Sequence, residues 1–472
     1  MEPIELSERL GRWSTGRGPL YVLLASRLRQ MIDDGELPPG TPLPPDRSLA
    51  AALAVGRTTV VAAYEQLTQD GRIVRRQGSG TRVAGERRTT ALETTAAPMF
   101  LHQLEPRDGV ILFACAAPDA PPPEVAQAYA RIVPELASIS NDIGYHPAGH
   151  PRLRAAIAER YTQRGNPTTV EEVLVTNGGQ QALSLTARGF VRPGERVLLE
   201  APTYPGALEA FREEGAVLRA LPVGLTGFAA AVREERPALA YVIPTFHNPT
   251  GSVLSAPDRV HLAAVAAATG VPLIADEVPA DLGFPGERPP PAMTGEAVIA
   301  VGSLSKTLWG GLRIGWVRAA APVIARLTRL RAVHDIGGDT PGQLAAAELV
   351  GRLDELSSRR AEELQRRHHH LQAELARHLP DWQAPAVRGG QTLWVRLPYG
   401  DGTSFAQAAI RHGVAVLPGA GLDVTGGGED HIRLHFRLPL DTQAEAVRRL
   451  AVAWRTYRPP GRRVRASPAL AV

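Results

Sequence analysis

The chain has 472 residues, of which 44% are hydrophobic and 21% charged, with a formal net charge of +4. That length exceeds one ordinary core and calls for two or three domains, and the composition excludes a fibrous, disordered or membrane-spanning chain. Cys115 is the only cysteine, which excludes a disulfide framework and reads as a small buried hydrophobe in a reducing cytoplasm.

In chain order, Met1-Glu-Pro-Ile-Glu carries no targeting pattern, so no secretory signal is expected. Residues 1–88 hold 13 Arg against 10 acidic residues, so most of the net charge falls in under a fifth of the sequence. Clustered cations of this kind suit nucleic-acid phosphate. Leu20, Leu24, Leu28 and Ile32 predict a helix over 19–35. Asp46 is the expected N-cap of a second helix running to Leu53, Ala54-Val-Gly56 makes a turn, and Arg57-Thr58-Thr59-Val60 opens a third helix to about Asp70. Two short helices about a tight turn form a helix-turn-helix, whose second helix meets base edges with its N-terminal residues. Ile73–Val83 then reads as a β-wing with Arg75, Arg76 and Arg82 around Gln77-Gly-Ser-Gly80.

Leu43-Pro-x-x-Arg47-x-Leu-Ala, Arg57-Thr-Thr-Val, Leu67-x-x-Asp-Gly71 and Gly78-Ser-Gly-Thr-x-Val together resemble the winged-helix domain of the GntR family of bacterial regulators. The resemblance implies double-stranded DNA as partner, with Arg47, Arg57 and Thr59 contacting it and Gly78 letting the wing approach the minor groove; Thr58 at the helix start and Arg75 and Arg76 at the wing are expected to join them from their positions. Gly56 stands where that family usually has Ser or Thr as the cap, which removes one expected phosphate contact. The expected layout is a winged helix at 10–84, a linker without periodicity at 85–109, a large domain at 110–458 and a basic tail at 459–472.

In the large domain, apolar runs at 173–176, 196–200, 239–243, 273–276, 298–302 and 314–318 alternate with Ala/Leu/Arg-rich helical stretches. Runs buried on both faces and separated by helices predict an α/β domain with a mostly parallel sheet. Strands at 393–397 and 431–436 predict a smaller C-terminal α+β subdomain. The longest apolar run, 262–275, is broken by Thr269, Gly270 and Pro272, so no membrane span is expected.

Of 52 Lys+Arg residues, Lys306 is the only lysine. Arginine replaces lysine in charge and phosphate binding but forms no imine with a carbonyl, so this primary amine points to Schiff-base chemistry. Asn177-Gly178-Gly179-Gln180 follows a strand and opens a helix, a pattern suited to an anion. Tyr204 follows the next strand and can stack on a flat ring, Asn248 in His-Asn-Pro-Thr-Gly offers a hydrogen bond, and Asp276 ends a buried strand and needs a partner. Ser303 and Arg313 flank Lys306 with a hydroxyl and a guanidinium, which suit a phosphate dianion. Pyridoxal 5′-phosphate needs each of these: an amine, an acid for its ring nitrogen, a donor for its phenolate, a stacking ring and phosphate donors.

The order Gly-Gly-Gln, Tyr, Asn-Pro-Thr-Gly, Asp, Ser-x-x-Lys, Arg resembles the fold-type-I aminotransferases over 110–455. The resemblance implies Lys306 as the aldimine lysine, Asp276 on the pyridinium, Asn248 on the phenolate and Tyr204 stacked. Gly178, Gly179, Gln180, Ser303 and Arg313 take the phosphate. It also implies that Tyr145 reaches the phosphate of a neighbouring subunit, hence a homodimer, and that Arg433 clamps an effector carboxylate. A Tyr is usual two or three residues after the ring-nitrogen Asp. Here Val278 and Pro279 occupy those positions, which predicts retained binding with impaired turnover.

A winged helix joined to an aminotransferase-like domain resembles the MocR subfamily of GntR regulators. The implied function is transcription regulation at operator half-sites, with an amine or amino-acid effector exchanging at Lys306. A working aminotransferase with an appended winged helix stands as the alternative, and a DNA-binding scaffold that never loads cofactor as a third class. His368-His369-His370 reads as a solvated helix face, since consecutive helical residues diverge, and no metal site is assigned.

Overall fold

A short amphipathic segment that the sequence reading passed over opens the described fold. In the computed structural model, Pro3–Leu10 is helix α1, burying Leu6 and Leu10, so the N-terminal domain begins before residue 10. The structure describes residues 2–11, 13–14, 19–33, 36–38, 40–69, 72–76, 80–84, 109–288 and 291–459. The expected 85–109 linker (apart from Gly109), the wing-tip Gly78 and all but the first residue of the 459–472 tail lie outside these. The chain divides into two units, Met1–Ala97 and Pro98–Val472, each described on its own.

In the first unit α2 spans Leu20–Asp33, β1 Pro42–Leu43, α3 Asp46–Ala52, α4 Arg57–Gln69, β2 Ile73–Arg76 and β3 Gly80–Val83. Val60, Tyr64 and Leu67 of α4 are fully buried against Leu24, Leu28 and Leu49, as the helical spacing requires. Leu20 is exposed and Ile32 only partly buried, so the α2 stripe is narrower than its spacing suggested. Ala54 takes a left-handed φ of 52° in the turn between α3 and α4. The three strands pair antiparallel in the order β1-β3-β2. One expectation fails: Asp46 is the first helical residue and not the cap. Pro45 holds the cap position without a side-chain bond, and the Asp46 carboxylate instead pairs with Arg75 at 2.5 Å.

In the second unit β4 is Ile111–Leu112, β5 Val173–Thr176, β6 Arg196–Ala201, β7 Val217–Pro222, β8 Leu239–Val242, β9 Leu273–Asp276, β10 Val298–Ser303 and β11 Gly315–Arg318. Seven of these form one sheet in the order β5-β11-β10-β9-β8-β6-β7. Its neighbours are parallel except that β11 pairs antiparallel with both β10 and β5. The β5, β8, β9, β10 and β11 side chains are buried throughout, which is why they read as continuous apolar runs. Strand β7 was not anticipated. It lies at the sheet edge, half-exposed, and its Val-Leu-Arg-Ala-Leu-Pro run lacks that signature.

The helix Leu353–His378 runs from the large sheet region into a C-terminal subdomain, where β12 (Thr392–Arg396), β14 (Leu417–Pro418) and β15 (His431–His435) form an antiparallel sheet in the order β12-β15-β14. β13 (Val414–Ala415) pairs in parallel with β4. The His368–His370 reading is corrected here. His368 is 2% exposed and packs between Phe284 and Phe436, and burial pushes its pKa down to about 4. His369 is exposed and His370 Nδ1 donates to Gln443 Oε1 at 3.1 Å. Among the described residues no helix is long and apolar enough to cross a membrane.

Candidate cofactor pocket and nucleic-acid surface

Strand ends deliver the pocket. β5 stops at Thr176, and Gly178 caps the helix Gly179–Phe190 with φ +84° and ψ 170°. That backbone conformation is open essentially only to glycine. A Cβ at Gly178 would also meet the Arg313 guanidinium at 2.6 Å, and one at Gly179 would meet Val278 at 3.2 Å. Arg313, itself at φ 51°, donates from Nη2 to the Asn177 carbonyl at 2.5 Å. The helix therefore opens on backbone N–H groups beside a fixed guanidinium, an arrangement that attracts an anion.

Gln180 and Tyr204 are tied to each other. The Tyr204 hydroxyl donates to Gln180 Oε1 at 3.1 Å, and Gln180 Nε2 donates to the Gly206 carbonyl at 2.8 Å. The Gln180 side chain is thus engaged, which leaves its backbone N–H for a ligand. Ser303 Oγ donates to the Ile314 carbonyl at 3.0 Å and lies 2.9 Å from Ser305 Oγ. Ser305 lines the same pocket and was not singled out from sequence.

Asp276 ends β9 at 5% exposure. It accepts from the Tyr241 hydroxyl at 2.7 Å and from the Val278 backbone N–H at 3.0 Å. Burial pushes its pKa up, and those two bonds with the Lys306 and His247 charges pull it down. Tyr241 was missed, although a tyrosine inside a fully buried strand signals a hydroxyl in need of a partner.

Lys306 Nζ donates to the Ala116 carbonyl at 2.7 Å. Burial lowers its pKa to about 8. Arg433 and Arg437 push the same way, while Cys115 and Asp276 oppose. Cys115 is partly exposed beside this amine, so the expectation of a buried hydrophobe is corrected. Gln391 also donates to the Ala116 carbonyl, at 2.9 Å, and its Oε1 is buried without a partner. Arg433, 3% exposed on β15, donates to the Ala114 carbonyl and, at 3.2 Å, to Asn248 Oδ1. Its Nε is buried and has no partner among the described residues. Burial lowers its pKa to about 10.

One cavity of about 160 Å³ brings together Gly179, Gln180, Tyr204, Asn248, Asp276, Ser303, Lys306 and Arg313, with Val278 and Pro279 on its wall. Gly178 and Arg433 adjoin it. Tyr145 does not enter it: the side chain is 64% exposed on this single chain. A larger cavity of about 770 Å³ around Arg160, Arg164, Glu277 and Asp281 contains neither Lys306 nor Asp276, so size does not mark the chemistry. Asp142, His146 and His150, near Tyr145, bring one donor atom each within 4.8 Å of one another, a grouping the sequence reading did not flag.

The residues fit pyridoxal phosphate on three observations. A glycine cradle is filled by Arg313 where a Cβ would be, a buried carboxylate and a partly buried amine line the same cavity, and among the described residues Arg433 Nε and Gln391 Oε1 lack partners. In the N-terminal unit, Arg47, Arg57 and Thr58 are exposed and Thr59 partly so. Arg75 is exposed but held by Asp46 and lies over the Tyr64 ring at 5.6 Å. Arg76 lies on β2, and Gly78 is outside the described residues.

Residues 108–450 match the family described as aminotransferase class I and II, and residues 20–83 match bacterial regulatory proteins of the gntR family. An HTH-type transcriptional regulator of Bacillus subtilis, YisV, is 30% identical, covering 94% of this chain and all of its own. The probable rhizopine catabolism regulatory protein MocR of Rhizobium meliloti is 34% identical over 63% of this chain and 65% of its own. The solved α-aminoadipate aminotransferase LysN of Thermus thermophilus, complexed with N-(5′-phosphopyridoxyl)-L-leucine, is 31% identical. Its TM-score is 0.69, with 76% of this chain and 94% of that one covered. The aminotransferase domain and this neighbour imply pyridoxal 5′-phosphate as the cofactor. The chain belongs to the class I and II aminotransferase family, in the MocR-type arrangement that places a gntR-family regulatory domain before it.

Proposed function

We propose that this chain is a DNA-binding transcriptional regulator whose large domain senses pyridoxal phosphate, or an amine or amino-acid effector, at Lys306. The observation that carries the reading is a partly buried lysine lining one cavity with Asp276, Asn248 and Arg313, with a buried arginine beside it whose Nε has no partner among the described residues, in a chain that also holds a winged helix. When bound, pyridoxal phosphate supplies an aldehyde that one primary amine at a time can join. Lys306 is the resident amine, Asp276 holds a proton on the ring nitrogen, and Tyr204 stacks. Asn248 faces the phenolate oxygen. The N–H groups at Gly178, Gly179 and Gln180, with Ser303 and Arg313, take the phosphate. Arg433 receives an effector carboxylate through its unpartnered Nε, which makes the site selective for amino acids over simple amines.

A homodimer is part of the proposal. Tyr145 at 64% and Ile143 at 83% exposure stand on one loop, tied through the Gly144 carbonyl to Thr340. A second copy would cover them and bring Tyr145 to its neighbour's phosphate. Two winged helices then bind two half-sites, and effector and operator affinities are coupled reciprocally.

The test is a gel shift on the intergenic DNA next to the gene, using wild type and Lys306→Ala, with and without pyridoxal phosphate and amino acids. Wild-type binding should respond to the small molecules and the variant's should not. Equal response in both sinks the reading. A working aminotransferase is favoured by the likeness to LysN. Val278 and Pro279 on the pocket wall disfavour it, because neither side chain can donate to a phenolate. Rapid release of keto acid from a common amino acid would decide for the enzyme.

A further inference from the structure

A third cavity, of about 190 Å³, is lined by Thr307, the residue after Lys306; it shares no residue with the cofactor pocket and shares Asp281, Gly283, Ser357 and Ala361 with the larger cavity. Thr307, Arg360, Arg367 and Arg437 line it, with Asp281 and Glu363 at its rim. Among the described residues, two donors there have nothing to donate to. Thr307 Oγ1 is buried, the residue being 4% exposed, and lacks a partner; Arg437 Nε is buried and lacks one too. Arg360 donates to the Thr307 carbonyl, and Arg367 to the Arg437 carbonyl and to Glu363.

The rim carboxylates do not neutralise Arg437. Asp281 is held by Arg160 and Arg164 at 2.8 Å each, and Glu363 by Arg366 and Arg367. Burial pushes the Arg437 pKa down to about 10. The charges of Arg367 and Arg360 push it further, with Asp119 the opposing charge. Crowding like charges around buried, unpaired donors is costly unless an anion joins them. A planar guanidinium fork and a hydroxyl match the oxygens of a tetrahedral oxyanion.

We propose that this cavity binds a small phosphate-class oxyanion, free or as a monoester, held by Arg437, Thr307 and Arg360. Because Thr307 follows Lys306 and Arg437 acts on that lysine's charge, the bound anion would favour the protonated amine and so oppose cofactor attachment. That consequence rests on the function proposed above; the site itself does not.

The experiment is calorimetric titration of the full chain, loaded with pyridoxal phosphate, with inorganic phosphate and separately with glycerol phosphate. Wild type should bind one phosphate. Arg437→Gln and Thr307→Val should each weaken it about tenfold or more, and Arg437→Lys less than Arg437→Gln. If only inorganic phosphate binds, the ligand is the free ion; if both bind, the site admits esters. If the chain fails to load, the unloaded chain should still show two phosphate sites, one removed by Arg437→Gln and the other by Arg313→Gln. Absence of binding to wild type overturns the proposal, as does binding that Arg437→Gln and Thr307→Val leave unchanged. Far-ultraviolet dichroism on each variant separates a lost site from a lost fold.

Discussion

The Tyr241 hydroxyl donates to Asp276 Oδ2 at 2.7 Å, across a register in which Tyr241 pairs with Ile274 and Val242 with Ala275. The carboxylate that would face a ring nitrogen is thereby oriented from the neighbouring strand. Burial and the Asp276 charge in turn raise the tyrosine pKa well above its ordinary value, so this hydroxyl stays a donor. Tyr241→Phe removes one of two donors to Asp276. Pyridoxal phosphate affinity, followed by absorbance, is expected to fall about tenfold, with about 1–2 kcal/mol of stability lost in denaturant titration.

Lys306 should impose a pH dependence. Its folded pKa is lowered from 10.5 to about 8, chiefly by burial. Between those values the unfolded chain keeps a proton that the folded chain has released, so stability of the unloaded protein rises with pH across that window. The rate of cofactor uptake should climb through about pH 8 as the free amine forms. Lys306→Ala should leave no label fixed by borohydride at any pH. Uptake that is flat across pH 7–9 would contradict this.

Gly178→Ala places a methyl group 2.6 Å from the Arg313 guanidinium and forces alanine into a glycine-only conformation. The backbone strain alone costs about 1–3 kcal/mol. Because Arg313 must also move, phosphate anchoring should suffer more than stability does. Fluorescence titration with pyridoxal phosphate beside a thermal melt compares the two.

At the DNA surface, Arg57 is exposed while Arg75 is held by Asp46 at 2.5 Å. Arg57→Ala should weaken operator binding and reduce the slope of log affinity against log salt by about one. Asp46→Asn should have the opposite sign, since it frees Arg75 and removes a negative charge beside the residues expected to face DNA. Anisotropy measured over a salt series reads both slopes.

Much of this architecture was legible because its signals are local. β5, β9 and their partners are buried on both faces and announce themselves as apolar runs, and Lys306 stands out by being alone. What escaped depends on neighbours brought together by folding. Asp46 has the chemistry of a cap, yet Arg75 across the domain takes its carboxylate. His368 sits among charged residues in sequence and among aromatic rings in space. Gln391 lines the pocket while Tyr241 and the Ala116 carbonyl hold its Asp276 and Lys306; the three come from separate segments, and no spacing along one segment marks them.

Ser303 and Gly315 face each other across the β10–β11 ladder, and Leu304 N–H closes on the Ile314 carbonyl at 3.0 Å. Lys306 and Arg313 therefore stand at opposite ends of a single loop, next to its closed base. A small molecule joined at Lys306 and anchored at Arg313 would therefore bridge the two ends of one short stretch of chain.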